Sequence, residues 1–151
     1  MTLYADASAI VATVSRQPNS RLIDPLVRDP LQVLVVSDFA LAESAAALAK
    51  LGRVEEWSTA EAAGFFEELD AWATLLTERV EIEPSDLADA NMFVRMPRLS
   101  LRAPDAIHIA AATRLEATIL TLDRGMARAA TALGVPCLNP AEAEAPGEPK
   151  D

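Results

Sequence analysis

Apolar residues come in short blocks along the chain, and their spacing alternates between two periods. Thr2-Leu3-Tyr4-Ala5-Asp6 and Leu31–Val36 (LQVLVV) are brief runs rich in apolar and β-branched residues. Thr118–Leu122 and Val135–Leu138 are of the same kind, and Arg79–Ile82 is a weaker strand signal in which charged and apolar residues alternate. Runs this short, apolar on both faces, fit strands of a covered sheet. Between them lie segments with helical signals. Ala7–Ala12 follows the first strand directly, and Ser20–Val27 sits between Pro18 and Pro30. Ser37 or Asp38 can cap a helix over Phe39–Leu51, with Gly52 as its stop. Ser58-Thr59-Ala60-Glu61 has the form of a capping box. It opens a long helix to about Thr77, where Phe65, Phe66, Leu69, Trp72, Leu75 and Leu76 recur at helical spacing and read as core. Pro84–Val94 is a further helix, and Arg95–Arg102 a loop.

The next stretch, from Leu101 to Gly125, organises the rest. Pro104 suits a first helical turn, and Asp105 beside it complements the helix dipole. Ile107, Ile109, Ala110, Ala111 and Leu115 make this helix too apolar for a solvated one. The strand Thr118–Leu122 follows and ends at Asp123; Arg124–Leu133 is then a helix closed by Gly134. Strands thus alternate with helices throughout, which predicts an α/β fold: a parallel sheet with helices on both faces. Residues 1–139 form one domain on this reading, and 140–151, rich in Pro, Glu and Ala, a disordered acidic tail.

Composition narrows the chemistry. The 151 residues suffice for one domain with a sizeable core. The net charge of −10 argues against a broad basic nucleic-acid surface, though not against a nucleic-acid substrate handled through metal ions. Cys137 is the only cysteine, so no internal disulfide is possible and a reducing cytoplasm is expected. No basic segment followed by an apolar core opens the chain, so no signal peptide is expected, and no run approaches membrane-spanning length.

Four carboxylates are candidates for one site. Asp6 and Asp123 end strands, while Glu43 and Asp105 lie near helix starts. In an open α/β sheet these places converge on the crevice at the carboxyl edge. Each acid also has an ordinary explanation, as a dipole partner or as a loop residue bonding backbone N–H groups. Together they would repel unless a cation neutralised them, and oxygen-only donors suit hard ions such as Mg²⁺ or Mn²⁺. His108, the only histidine, shares a helix face with Asp105. That face packs on the sheet, so a histidine hydrogen-bonded inside the fold is preferred over a general acid. Arg95, Arg98, Arg102 and Arg124 lie next to the proposed site, either to hold substrate phosphates or as a solvated loop.

The segments Tyr4–Ile10, Ala40–Leu48, Arg102–Ala110 and Leu120–Arg124 resemble the four acidic motifs of PIN domains. They are most similar to the short VapC toxins of toxin–antitoxin pairs, over Thr2 to about Asn139. The resemblance implies a three-layer α/β/α sandwich with a mainly parallel sheet of four or five strands. It implies a Mg²⁺- or Mn²⁺-dependent endoribonuclease with Asp6, Glu43, Asp105 and Asp123 as catalytic metal ligands. Ser8 and Thr121 support them, and Arg98, Arg102 and Arg124 are the candidate RNA contacts. The implied partners are RNA, a cognate VapB-like antitoxin and a second copy of the chain, with no membrane. Two other readings remain: a metal-dependent phosphatase or DNA nuclease, and a metal-free α/β binding or scaffold domain.

Overall fold

The computed structural model describes residues 1–143. Its centre is a five-stranded sheet of β1 (Thr2–Ala5), β2 (Val33–Ser37), β3 (Glu78–Val80), β4 (Thr118–Leu120) and β5 (Cys137–Leu138). The order is β3-β2-β1-β4-β5, and every pairing is parallel. Strand alternation sorts the core into two layers. Leu3, Ala5, Leu34, Val36 and Leu120 face one side, under α1 (Ala7–Val14), α2 (Ser20–Val27), α3 (Asp38–Val54) and α4 (Thr59–Leu76). Tyr4, Val35 and Ile119 face the other, under α5 (Pro84–Val94), α6 (Ala103–Arg114) and α7 (Arg124–Ala132). The result is the expected three-layer α/β/α sandwich with an all-parallel sheet.

Local chemistry explains most boundaries. Asp6, Ser37, Ser58 and Asp123 each accept a backbone N–H at the start of a helix. Ser58 and Glu61 complete the capping box. Gly134 takes φ +74° after α7, a conformation that favours glycine. A half-buried ion pair joins the second layer: the Arg114 guanidinium on α6 grips both carboxylate oxygens of the buried Asp86 on α5, each at 2.9 Å.

Several expectations are corrected. Helix α3 runs through Gly52 to Val54, because Gly52 serves a close approach: a Cβ there would lie 2.8 Å from Trp57 Cε3. Strand β2 starts at Val33, since its register pairs Val33 with Thr2 and leaves Leu31 81% exposed. Leu75 and Leu76 are exposed at the end of α4, while Leu69 and Trp72 are core. β3 is shifted to Glu78–Val80, and β4 stops at Leu120. Loop Arg95–Arg102 contains a 3-10 turn, Pro97–Leu99. The expected tail begins as a helical turn, α8 (Pro140–Ala143), capped by Asn139 and lying against α2. The rest of that expected tail is outside the described residues.

Candidate active site

The carboxyl edge of β1 and β4 is held together by short polar side chains. Asp6 follows β1 and is 3% exposed. Its Oδ1 accepts from Ala9 N at 3.0 Å and from Ser8 Oγ at 2.6 Å, and its Oδ2 accepts from Thr121 Oγ1 at 2.5 Å. The supporting hydroxyls carry the link onward. Ser8 Oγ accepts from Leu122 N and Thr121 Oγ1 accepts from Asp123 N, both at 2.9 Å. Asp123 Oδ1 in turn accepts from Met126 N and caps α7. Thr121 serves both neighbours: its backbone N–H continues the ladder to Leu138 O at 3.1 Å, while its hydroxyl orients Asp6.

The other two acids arrive from helices. Asp105 sits in the first turn of α6, its side chain 16% exposed, with Arg102 Nε 3.4 Å from Oδ2. Glu43 projects from α3, and its Oε1 meets Nε2 of the buried His108. Asp6, Ser8, Glu43, Arg102, Asp105, His108 and Asp123 line one pocket of about 140 Å³. All four acids expected from the sequence therefore open onto one cavity, formed by four separate segments. Arg102 lines it as well, whereas Arg98 and Arg124 are exposed outside its lining.

Electrostatics match this crowding. Burial pushes the Asp6 carboxyl above its usual range, against the pull of its bonds from Ser8, Thr121 and Ala9. Burial also raises Asp105, with Arg102 opposing the shift and the nearby Asp123 adding to it. An all-oxygen donor set in a pocket that penalises its own negative charge fits a hard divalent cation. Among the described residues, no three carboxylate, histidine or cysteine side chains stand close enough to hold one ion as placed. As placed, Glu43 is engaged with His108 and Asp105 with Arg102.

Sequence reasoning missed Tyr4 and Ser37 in this region. Tyr4 Oη lies 2.7 Å from His108 Nδ1 and 2.9 Å from Ser37 Oγ, fully buried. Burial drives the Tyr4 hydroxyl well above the phenol range, so it stays protonated. A tyrosine two residues before a strand-end acid was the available signal. By alternation it faces the side opposite Leu3 and Ala5, the side of α6.

Comparison with known proteins agrees with this architecture. No curated protein matches the sequence significantly. The structure of VapBC2 from Rickettsia felis, bound to a DNA fragment from its promoter, is similar at TM-score 0.67 and 15% identity, over 91% of this chain and 98% of that one. VapC20 from Mycobacterium tuberculosis, a sarcin–ricin-loop-cleaving toxin, gives 0.67 and 14%, over 91% and 97%. FitAcB from Neisseria gonorrhoeae gives 0.69 and 20%, over 92% and 98%. At such identities the likeness is one of fold. The PIN domain profile, by contrast, matches the sequence itself over residues 3–132, which takes in every segment that reaches the pocket. On that match this chain belongs to the PIN domain family.

Proposed function

We propose that this chain is a Mg²⁺- or Mn²⁺-dependent endoribonuclease and the VapC-type toxin of a toxin–antitoxin pair. The observation that carries the proposal is the single pocket lined by Asp6, Glu43, Asp105 and Asp123. These acids are the proposed catalytic metal ligands. A bound divalent ion would make a coordinated water a stronger nucleophile and neutralise charge on the scissile phosphate. The chain's own residues prepare the place. Ser8 and Thr121 fix both oxygens of Asp6, and Thr121 also anchors the backbone of Asp123. Arg102 is the cation nearest to where a phosphate would enter, with Arg98 and Arg124 further out as RNA contacts. VapC20, which shares the fold, is a toxin that cleaves the sarcin–ricin loop, and this favours RNA as substrate.

The proposed partners are a VapB-like antitoxin and a second copy of this chain. VapBC2, with its promoter DNA, supports the former by likeness of fold. Exposed Leu75, Leu76, Leu87 and Met92 offer apolar surface for such contacts. The proposed compartment is the cytoplasm, in keeping with a single cysteine; no helix among the described residues is long and apolar enough to cross a membrane.

The test is direct. Purified protein is offered an RNA oligonucleotide, the matching DNA and a chromogenic phosphate ester, with Mg²⁺, with Mn²⁺ and with chelator. RNA cleavage that needs the cation and disappears in Asp6→Asn is expected. Cleavage of DNA or release of phosphate in place of RNA cleavage assigns the site to the corresponding enzyme class. Absence of both cation binding and hydrolysis assigns the acids to a scaffold role.

A further inference from the structure

The pocket has a polar support that leaves α3 at its cap and returns to it at Glu43. Ser37 Oγ accepts from Ala40 N at 3.0 Å, which occupies it as the cap of α3. It also lies 2.9 Å from Tyr4 Oη on β1. Tyr4 Oη lies 2.7 Å from His108 Nδ1 on α6, and His108 Nε2 meets Glu43 Oε1 on α3. Ser37, Tyr4 and His108 are all buried, so each donor and acceptor there needs its partner.

One assignment of protons satisfies every atom. A carboxylate can only accept, so Nε2 carries hydrogen and donates to Glu43. Nδ1, the other ring nitrogen, then accepts from the Tyr4 hydroxyl, and Tyr4 accepts from the Ser37 hydroxyl, which leaves no buried hydroxyl hydrogen without an acceptor. Ser37 keeps a lone pair for Ala40 N. All donations run toward Glu43. The ring itself is held in place: it stacks on Phe39 with centroids 5.2 Å apart and planes 30° apart, and it contacts the Tyr4 ring at 5.6 Å.

We propose that His108 is a positioning residue, which holds the Glu43 carboxylate by Nε2–H donation in an orientation that Tyr4 and Ser37 dictate through the ring. The inference rests on the reading of Glu43 as a metal ligand. Hydrogen-bond partners of ligating groups set ligand orientation, and their loss typically weakens metal binding by about 10–100-fold. Any buried histidine needs partners for its nitrogens; what singles out His108 is that one of them is a carboxylate lining the pocket.

The experiment uses the full chain, whose single histidine gives one pair of imidazole nitrogen signals in ¹⁵N NMR. The parent is expected to show the tautomer protonated at Nε2; protonation at Nδ1 alone overturns the inference. Mn²⁺ affinity is measured by calorimetry for the parent, His108→Leu, Glu43→Gln and the double variant. His108→Leu is expected to weaken Mn²⁺ binding by about 10–100-fold. In the Glu43→Gln background the same change should cost no more than about twofold, because its target is gone. An equal loss in both backgrounds, or no loss in the parent background, overturns the inference. Tyr4→Phe keeps the ring and removes the hydroxyl, and covers the case in which His108→Leu fails to fold. It should bring in the Nδ1-protonated form and weaken Mn²⁺ binding several-fold, about the lower end of the same range. Tyr4→Phe with both unchanged overturns the inference. A parent that binds no Mn²⁺ refutes the metal reading of the pocket, an outcome separate from any of these.

Discussion

Asp105→Asn removes one negative charge from the pocket and keeps the side chain's shape, so it separates a metal ligand from a structural acid. Two bare charges about 4 Å apart would repel by roughly 4 kcal/mol at an effective dielectric near 20. The structure reduces that figure. Arg102 stands 3.4 Å from Asp105, and the acids are engaged with separate partners. Arg102 is 77% exposed, so the pair it forms is worth only about 0–1 kcal/mol. Losing that pair and relieving a half-desolvated charge nearly cancel, and the variant should lie within about 1 kcal/mol of the parent in chelator. For a chain of this size that is about 2–4 °C in Tm, on the side of equal or higher stability. Mn²⁺ at a hundredfold excess over its Kd should add about 2.7 kcal/mol to the parent, or roughly 5–11 °C. The variant should gain less than about half of that and should lose RNA cleavage. Thermal melts of both proteins in chelator and in Mn²⁺, followed by circular dichroism, measure all four quantities. A variant that melts well below the parent in chelator, with no response to Mn²⁺ in either protein, would refute the reasoning.

The remaining predictions concern stability. Asp86→Asn should cost about 2–3 kcal/mol in urea unfolding at neutral pH, because it removes the buried charge to which the half-buried Arg114 donates two hydrogen bonds. Burial works against the Asp86 carboxylate, but the bonds from Arg114 and from the Glu83 backbone N–H, with the Arg114 charge, together outweigh it and hold the group below the usual range. Its stabilisation is therefore present above the unfolded pKa and is lost as pH falls through the folded one, so the variant should show a flatter acid limb below about pH 4. Gly64 has nothing within 4 Å of an added Cβ, and Gly64→Ala should stabilise by about 0.5–1 kcal/mol, read from the urea midpoint. Gly52→Ala has the same helical gain but drives a methyl into the Trp57 ring, and should destabilise by about 1–2 kcal/mol net. A chain ending at Ala143 should keep its Tm and its activity, since the sequence of residues 144–151, EAPGEPKD, holds no aromatic residue and no aliphatic one larger than alanine apart from its prolines.

Signals that act over a few residues were legible in the sequence, and signals that depend on distant partners were not. The capping box at Ser58, the helix between Pro18 and Pro30 and the stop at Gly134 are local, and the structure has each of them. Gly52 misleads because one residue type serves two purposes. It reads as a helix stop, but its role is to admit Trp57, five residues on. Leu75 and Leu76 continue a helical period past the point where anything covers them, and periodicity cannot show where cover ends. The four acids could be read as ends of elements, since the sheet edge is where such ends meet. What holds them is less visible. His108 meets Glu43 across 65 residues and Tyr4 across 104, and no local pattern encodes either pairing. The outer arginines were marked by adjacency in sequence, but only Arg102 follows α6 into the pocket lining.

The bond from Thr121 to Asp6 spans 115 residues, and β1 lies between β2 and β4 in the sheet. On the ribosome this ordering becomes a delay. Strand β1 emerges first, yet one of its neighbours is made near the end of the chain. At about 5–20 residues per second, roughly 6–23 s separate the synthesis of Asp6 from that of Thr121. Over that interval Asp6 has neither its second oxygen bonded nor Asp123 beside it. Pairings of such high sequence separation also form late in folding, because the loop-closure entropy comes before the contacts that reward it. A half-made chain therefore carries Asp6 and Glu43 without Asp105, Asp123 or the pocket, and the chemistry of the site switches on only once β4 has joined the sheet.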